Sequence, residues 1–123
     1  MRQTRHTRAI EALLNDTPGA LSAEEVHAAL ADTGIGIATV YRVLNRGVEA
    51  GTFKPVPLAD GATRFEPADR PHHHHFACNT CDRVFDIAGC PGQFRKMLPR
   101  GFRLESHDLT LRGSCAECSA GAA

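Results

Sequence analysis

His72-His-His-His-Phe-Ala-Cys-Asn-Thr-Cys81 sets four consecutive imidazoles directly ahead of a Cys-x-x-Cys pair, Cys78 and Cys81. A second pair with the same spacing, Cys115 and Cys118, lies near the C-terminus. Across a two-residue spacer the chain can turn back, so both sulfurs reach one ion, and two such knuckles complete a tetrahedron. The pattern is that of a structural four-thiolate Zn2+ site. The long interval between Cys81 and Cys115 predicts an ion that pins two separated parts of one domain. Two disulfides or four idle thiols are the alternatives, and nothing else in the chain looks secreted.

The histidine run is internal and abuts a knuckle, unlike a terminal tag or a solvated polar loop. If it enters a strand, alternate residues face opposite sides. His73 and His75 then share one face and His72 and His74 the other, so one short run can feed two different sites.

Working outward, 123 residues make one or two small domains, each short of core and each suited to a metal staple or to dimerisation. Fourteen basic and fourteen acidic residues leave no net charge, which by itself argues for no partner. No apolar run is long enough to span a bilayer, and the basic N-terminus lacks the apolar core of a signal peptide. Five cysteines without a secretion signal point to a reducing cytoplasm and to metal binding. The fifth, Cys90, has no partner in this spacing and reads first as an ordinary buried thiol, with ligation as the alternative.

Upstream of the run, residues 2 to 8 carry Arg2, Arg5, His6 and Arg8, and Ile10, Leu13 and Leu14 then give a helical apolar face. Asp16-Thr-Pro-Gly19 ends that helix. Ser22 and Glu25 form a capping box opening a second helix, with Val26, Ala29 and Leu30 at helical spacing. After a turn at residues 32–36, a third helix spans about Ala38 to Ala50. Val40, Val43, Leu44 and Gly47 share one face; Arg42, Asn45, Arg46 and Glu49 share another, with Tyr41 near the boundary. Phe53 to Leu58 and Thr63 to Glu66 flank Asp60-Gly61 as a β-hairpin. Three helices followed by a hairpin is the order of a winged helix-turn-helix. A plain helical bundle with a solvated outer face is the competing reading. Residues 1 to 66 hold seven basic and eight acidic residues. Phosphate binding therefore requires the basic ones, Arg2, Arg5, Arg8, Arg42, Arg46 and Arg64, to be segregated on one face.

Downstream, Phe76, Val84, Phe85 and Ile87 predict strands around the first knuckle, Gln93 to Leu98 a helix, and Leu109 and Leu111 a strand leading to Cys115. Residues 119–123 read as a disordered tail. The fold class is α+β. Residues 1–67 form the winged-helix domain, 68–71 a hinge linker, and 72–123 a small α/β domain with a four-cysteine zinc site.

Ala38-Thr-Val-Tyr-Arg-Val-Leu44, Arg64-Phe-Glu66, the histidine run and the two Cys-x-x-Cys pairs occur in that order. Together they resemble the ferric uptake regulator family of metal-sensing repressors, from about Thr7 to Cys118. The resemblance implies a homodimer that grips a palindromic double-stranded DNA operator when loaded with metal, its C-terminal domain serving for dimerisation. It places Tyr41 and Arg42 on the recognition helix, with Arg8, Thr39, Asn45, Arg46 and Arg64 as further DNA-binding candidates. It implies a regulatory Zn2+, Fe2+ or Mn2+ at Glu66, His73, His75 and Asp86. A second metal site matches His72, His74 and His107, with its acid position near Gln93, a poor ligand. The chain departs from the family at Ala20, where many iron and peroxide sensors carry a histidine before Ser-Ala-Glu. Glu66 is then the ligand expected from the N-terminal domain, and zinc sensors of the family often lack that histidine, which tilts the reading slightly toward zinc. The chain also starts late relative to many members, so a helix that often precedes the first one is largely absent.

Neither a membrane nor a small-molecule substrate is expected as a partner. A peroxide-sensing iron repressor of the same family is the alternative within this class. A zinc-stapled protein-interaction module is the rival from another class. An enzyme is not expected: a zinc deaminase requires His-x-Glu and Pro-Cys-x-x-Cys, whereas Ala77 precedes Cys78 and no His-x-Glu occurs.

Overall fold

The computed structural model describes residues 4–57 and 62–120. The chain divides after Pro71 into two compact units. Among the described residues no helix is long and apolar enough to cross a membrane.

The first unit starts with α1 (Arg5–Asp16), whose first turn is capped by the Thr4 hydroxyl accepting from the Thr7 N–H at 3.1 Å. The basic lead-in is thus helical from Arg5 onward, and Arg2 lies outside the described residues. A short strand, β1 (Gly19–Ser22), then precedes α2 (Ala23–Ala29). Ser22 and Glu25 satisfy each other's backbone N–H groups at 2.9 and 3.1 Å, closing the capping box. Such a cap is worth about 1 kcal/mol. A 3-10 turn (Ala31–Thr33) and Gly34, at φ +78°, lead into α3 (Ile37–Ala50). Gly51 ends α3 at φ +80°, a conformation that disfavours any side chain. The Thr52 N–H then returns to the Gly47 carbonyl at 2.8 Å.

Strands β2 (Phe53–Pro57) and β3 (Thr63–Pro67) pair antiparallel from Phe53 opposite Pro67 to Pro57 opposite Thr63. The expected turn at Asp60-Gly61, with Leu58, lies outside the described residues. Strand β1 adds to the other side of β3, Leu21 opposite Phe65. Pro55 and Pro57 therefore sit in the outer strand of this sheet, where a missing N–H is tolerated. The three helices and the sheet enclose one core of Ile10, Leu14, Ala23, Val26, Ile35, Val40, Leu44, Phe53 and Phe65. The periodic residues of each helix supply it. Helices α1 to α3 followed by β2–β3 follow the order of a winged helix.

The second unit is built on β4 (His74–Cys78), which pairs antiparallel with β5 (Val84–Ile87) and parallel with β6 (Thr110–Gly113). A parallel neighbour requires a long crossover, here the stretch between Ile87 and Thr110. Within it the helix expected at Gln93 to Leu98 is reduced to a 3-10 turn, Phe94–Met97. Its residues are largely exposed, so too little apolar surface is buried to hold a longer helix. A last helix, α4 (Ala116–Ala120), takes in Ser119 and Ala120, which the tail expectation had left unstructured. The Ser119 N–H donates to the Cys115 carbonyl at 2.8 Å. Residues 121–123 lie outside the described residues.

Candidate metal centres and the exposed face of α3

The four knuckle cysteines converge. Cys78 closes β4, Cys115 follows β6 and Cys118 stands on α4, while Cys81 is returned to them by a turn in which Asp82 takes φ +63°. Their sulfurs lie within 4.8 Å of one another. Cys81 Sγ and Cys115 Sγ are 3.9 Å apart and all four thiols are free. A disulfide requires sulfurs about 2.0 Å apart, whereas a tetrahedral zinc with bonds of about 2.3 Å sets its sulfurs about 3.8 Å apart. The donor set and its spacing fit zinc.

The surroundings favour thiolates. Backbone N–H groups of Cys81 and Cys115 donate to Cys78 Sγ at 3.5 and 3.3 Å, and they lower its pKa to about 6. Cys115 is lowered too, chiefly by the Cys118 backbone N–H. Cys118 is pushed up to about 12, first by its contact with the Cys115 sulfur. Crowded sulfurs share protons among themselves until a cation replaces them.

Arg83, which the sequence did not single out, supports this cluster. Its Nε donates to Cys81 Sγ at 3.1 Å and its Nη2 to Cys115 Sγ at 3.6 Å. Glu117 holds the same guanidinium at 2.6 Å, and Phe85 lies beneath it at 5.4 Å. Its own pKa is raised, first by the hydrogen bond to Cys81.

The histidine run splits by parity. His73 Nε2 and His75 Nε2 are 3.2 Å apart. Asp86 stands opposite His75 in the β4–β5 register, with Oδ1 3.6 and 3.7 Å from the two nitrogens. Two imidazoles and a carboxylate at these separations match the donor spacing of a four-coordinate divalent ion, about 3.3–3.5 Å. On the other side His72, His74 and His107 gather with Cys90. His74 is buried; its pKa is lowered first by that burial and then by His72 and His107. Cys90, read from the sequence chiefly as an ordinary thiol, belongs to this cluster, for which no spacing motif gave a signal.

In the first unit Glu66 is fully buried on β3, with Arg70 Nη1 3.8 Å from its carboxylate. Arg70 also donates to the carbonyls of Gly19 (2.9 Å), Leu14 (2.7 Å) and Thr17. It thereby caps the C-terminal turn of α1. Ala20 is buried in β1 and brings only a methyl group, so this position offers no metal ligand.

Helix α3 leaves Tyr41, Arg42, Asn45 and Arg46 exposed and Thr39 half-buried, while Val40, Leu44 and Gly47 are buried. Arg42, Arg46 and Thr39 border a groove shared with Thr4 and His6 near the start of α1. Arg8 is exposed on α1. The Tyr41 hydroxyl donates to the Glu24 carboxylate at 2.5 Å, which lowers the Glu24 pKa and raises that of Tyr41. Arg64 has to be corrected: its side chain is 5% exposed. Its Nε lies 3.8 Å from Glu25 and its Nη1 donates to the Ala62 carbonyl. It is committed to the interior of its unit rather than to the exposed basic set.

These features define a class of protein, a winged-helix-like unit followed by a cysteine-knuckle unit with histidine and carboxylate donors. The chain belongs to the ferric uptake regulator family, whose model matches residues 1–112. The ferric uptake regulation protein of Bordetella parapertussis is 39% identical over 106 residues, covering 82% of this chain and 76% of that protein. The Vibrio cholerae ferric uptake regulator, a solved structure, is 31% identical with a TM-score of 0.76 over 94% of this chain and 92% of that one. A zinc-bound manganese uptake regulator is 30% identical with a TM-score of 0.80 over 94% and 91%. Like its family, the chain is a metal-responsive regulator.

Proposed function

We propose that this chain is a metal-loaded, homodimeric DNA-binding repressor of metal-homeostasis genes, gripping a palindromic operator through α3. The observation that carries the reading is the composition of the exposed α3 face. Arg42, Asn45 and Arg46 stand free of the core on one side of a helix whose other side, Val40, Leu44 and Gly47, is packed. Arginine and asparagine are suited to phosphates and to base edges in a major groove. The Vibrio cholerae relative is described with DNA-binding domains. Exposed Met97, Phe102 and Leu111, at 78, 67 and 52%, give the second unit apolar surface that a second copy can cover.

The regulatory ligands are His73, His75 and Asp86, with Glu66 as the carboxylate from the N-terminal unit. A divalent cation held there supplies a fixed positive charge with preferred ligand directions. These imidazoles and carboxylates are acceptable to zinc, iron and manganese alike. His75 is fixed by the β4 pairing and His73 directly precedes that strand; Glu66 belongs to β3 and moves with the unit that carries α3. Ligation by residues of both units favours one interdomain geometry. If that geometry holds DNA better, metal and DNA strengthen each other's binding by the same factor.

The test is operator binding by fluorescence anisotropy across a titration of Zn2+, Mn2+ and Fe2+, with four-cysteine zinc verified by metal analysis. Wild-type protein should gain affinity with one of these ions. The Glu66→Ala, His73→Ala, His75→Ala triple variant should not. Equal metal-dependent affinity in the triple variant overturns the proposal.

A further inference from the structure

Residues 68–71, expected to form a linker, are fastened to the first unit at two points. The Ala68 N–H donates to the Thr52 carbonyl at 3.0 Å, just past the end of α3. Two residues on, the Arg70 guanidinium spans three carbonyls. Its Nη1 donates to Gly19 at 2.9 Å, and its Nη2 donates to Leu14 at 2.7 Å and to Thr17. The same group lies 3.8 Å from the Glu66 carboxylate, with its side chain only 17% exposed. Helix α1 carries no basic residue in its own last turn. The cation that answers the negative end of that helix therefore comes from the linker.

This fastening shortens the connection to the histidine run. The chain from Pro67 to His73 extends to at most about 20 Å, whereas the chain from Arg70 to His73 extends to about 10 Å. Pro71 stiffens the shorter piece, since its ring fixes its own φ and holds Arg70 extended. A planar fork bound to three carbonyls is also directional, unlike the point charge of a lysine. The other end of α1 lies about 18 Å away. There Thr4 and His6 border the groove lined by Arg42 and Arg46. Ala20 brings no donor to β1, so a cation reaches this part of the unit only through a neighbouring side chain.

We infer that Arg70 is the positioning residue that transmits cation binding at His73 and His75 to the first unit, by clamping the chain just ahead of these histidines to the C-terminal end of α1 and to β1. The inference rests on the regulatory-site reading above. Arg70 touches no ion. It fastens a short, stiff tether to a helix that supplies no regulatory ligand, and it keeps the Glu66 carboxylate beside the same anchor. Ordering His73 then orders α1, and with it one wall of the groove that Arg42 and Arg46 line. Coupling of this kind needs a continuous chain of contacts that both sites bias, and the guanidinium fork supplies the link between linker and helix. Without the fork the histidines still take up their ion, but ligation no longer constrains α1.

The test uses the full chain with its four-cysteine zinc in place and Zn2+ as the added ion. Hydrogen exchange, read by mass spectrometry without DNA, reports local opening. In the wild type, added Zn2+ should slow exchange in peptides covering residues 66–73 and in the last turn of α1, residues 13–17. In Arg70→Ala the first protection should persist and the second should vanish. Arg70→Lys keeps the charge but loses the fork, and should behave like Arg70→Ala. Equilibrium dialysis should show undiminished Zn2+ uptake by both variants, and circular dichroism should show both folded. In operator binding, Arg70→Ala should lower the Zn2+-induced gain in affinity about fivefold, the low end of usual coupling factors. Zn2+ protection of residues 13–17 that persists in either variant, or is absent from the wild type, overturns the inference, as does loss of Zn2+ uptake by both variants. A wild type whose operator affinity ignores added metal defeats the repressor reading alone, because the exchange measurement contains no DNA.

Discussion

Gly47→Ala tests the packing that holds α3 against the sheet, and the sign of its effect is the informative part. On helix propensity alone, alanine in a helix interior is better than glycine by about 0.8–1.0 kcal/mol. The structure predicts the opposite outcome. A Cβ at Gly47 would stand 2.5 Å from Cε2 and 2.9 Å from Cγ of Phe53, with Cδ2 closer still. Phe53 is buried in the core at the start of β2, so its ring can move aside only at the expense of its own packing. Overpacking costs about 1–3 kcal/mol, and contact with three ring atoms puts this case near the top of that range. Net of propensity, the variant should lose about 2 kcal/mol, or roughly 8–16 °C in the Tm of a unit this size. Tyr41 is the single tyrosine in a chain without tryptophan, so its fluorescence reports urea or thermal unfolding of the first unit. Phe53→Leu should cost stability in the wild-type background and recover part of it in Gly47→Ala, a coupling of about 1 kcal/mol in a double-mutant cycle. A Gly47→Ala midpoint equal to or above that of the wild type would refute the reasoning.

Removing Arg83 takes two N–H donors from the sulfurs of Cys81 and Cys115, so Arg83→Ala should weaken zinc retention about 10- to 100-fold in competition with a chromophoric chelator; an unchanged exchange curve rejects that role. Arg42→Ala and Arg46→Ala should each reduce the slope of log affinity against log salt by about 1 if each neutralises one phosphate. Arg64→Ala should instead lower the unfolding midpoint of the first unit and leave that slope alone. Glu24 has a folded pKa held below its unfolded value by the Tyr41 hydroxyl. Its stabilising contribution is therefore complete above the ordinary carboxylate range and lost as pH falls through the depressed value. Tyr41→Phe, followed by circular dichroism between pH 7 and about pH 3, should show a shallower fall in stability with acid than the wild type; identical slopes would dismiss the pair.

What the sequence disclosed divides along a physical line. Ser22 and Glu25 interact across three residues, so local geometry alone made the capping box legible. The knuckles are equally local, and the strand period of two separated His73 and His75 from His72 and His74. Contacts across long stretches of chain were not legible. Strand β1 is four residues, Gly-Ala-Leu-Ser, with no alternating pattern; it is a strand because β3 offers it a partner. Arg70 lay in what read as a linker, yet it satisfies carbonyls more than fifty positions earlier. Arg64 counted as a basic residue available to phosphate, and no composition count reveals that its guanidinium turns toward Glu25. Cys90 lacked a spacing motif because its partners come from β4 and from a loop that the crossover carries back.

The dependence of the histidine sites on the cysteine cluster follows from strand register. Cys78 is the last residue of β4 and pairs with Gly113, two positions before Cys115. Anchoring Cys78 and Cys115 to one ion therefore fixes β4 lengthwise against β6. The same strand carries His74 and His75, with Asp86 opposite His75. A slip of one residue would exchange the two faces, moving His73 and His75 to the side of Cys90 and His72 and His74 to that of Asp86. Both donor sets would then be mismatched at once. Burial of Ala77 and Val84, paired across β4 and β5, resists such a slip from the apolar side. The four thiolates resist it from the end of the strand. Loss of the cysteine-bound ion should therefore degrade metal binding at both histidine clusters, although neither shares a ligand with it.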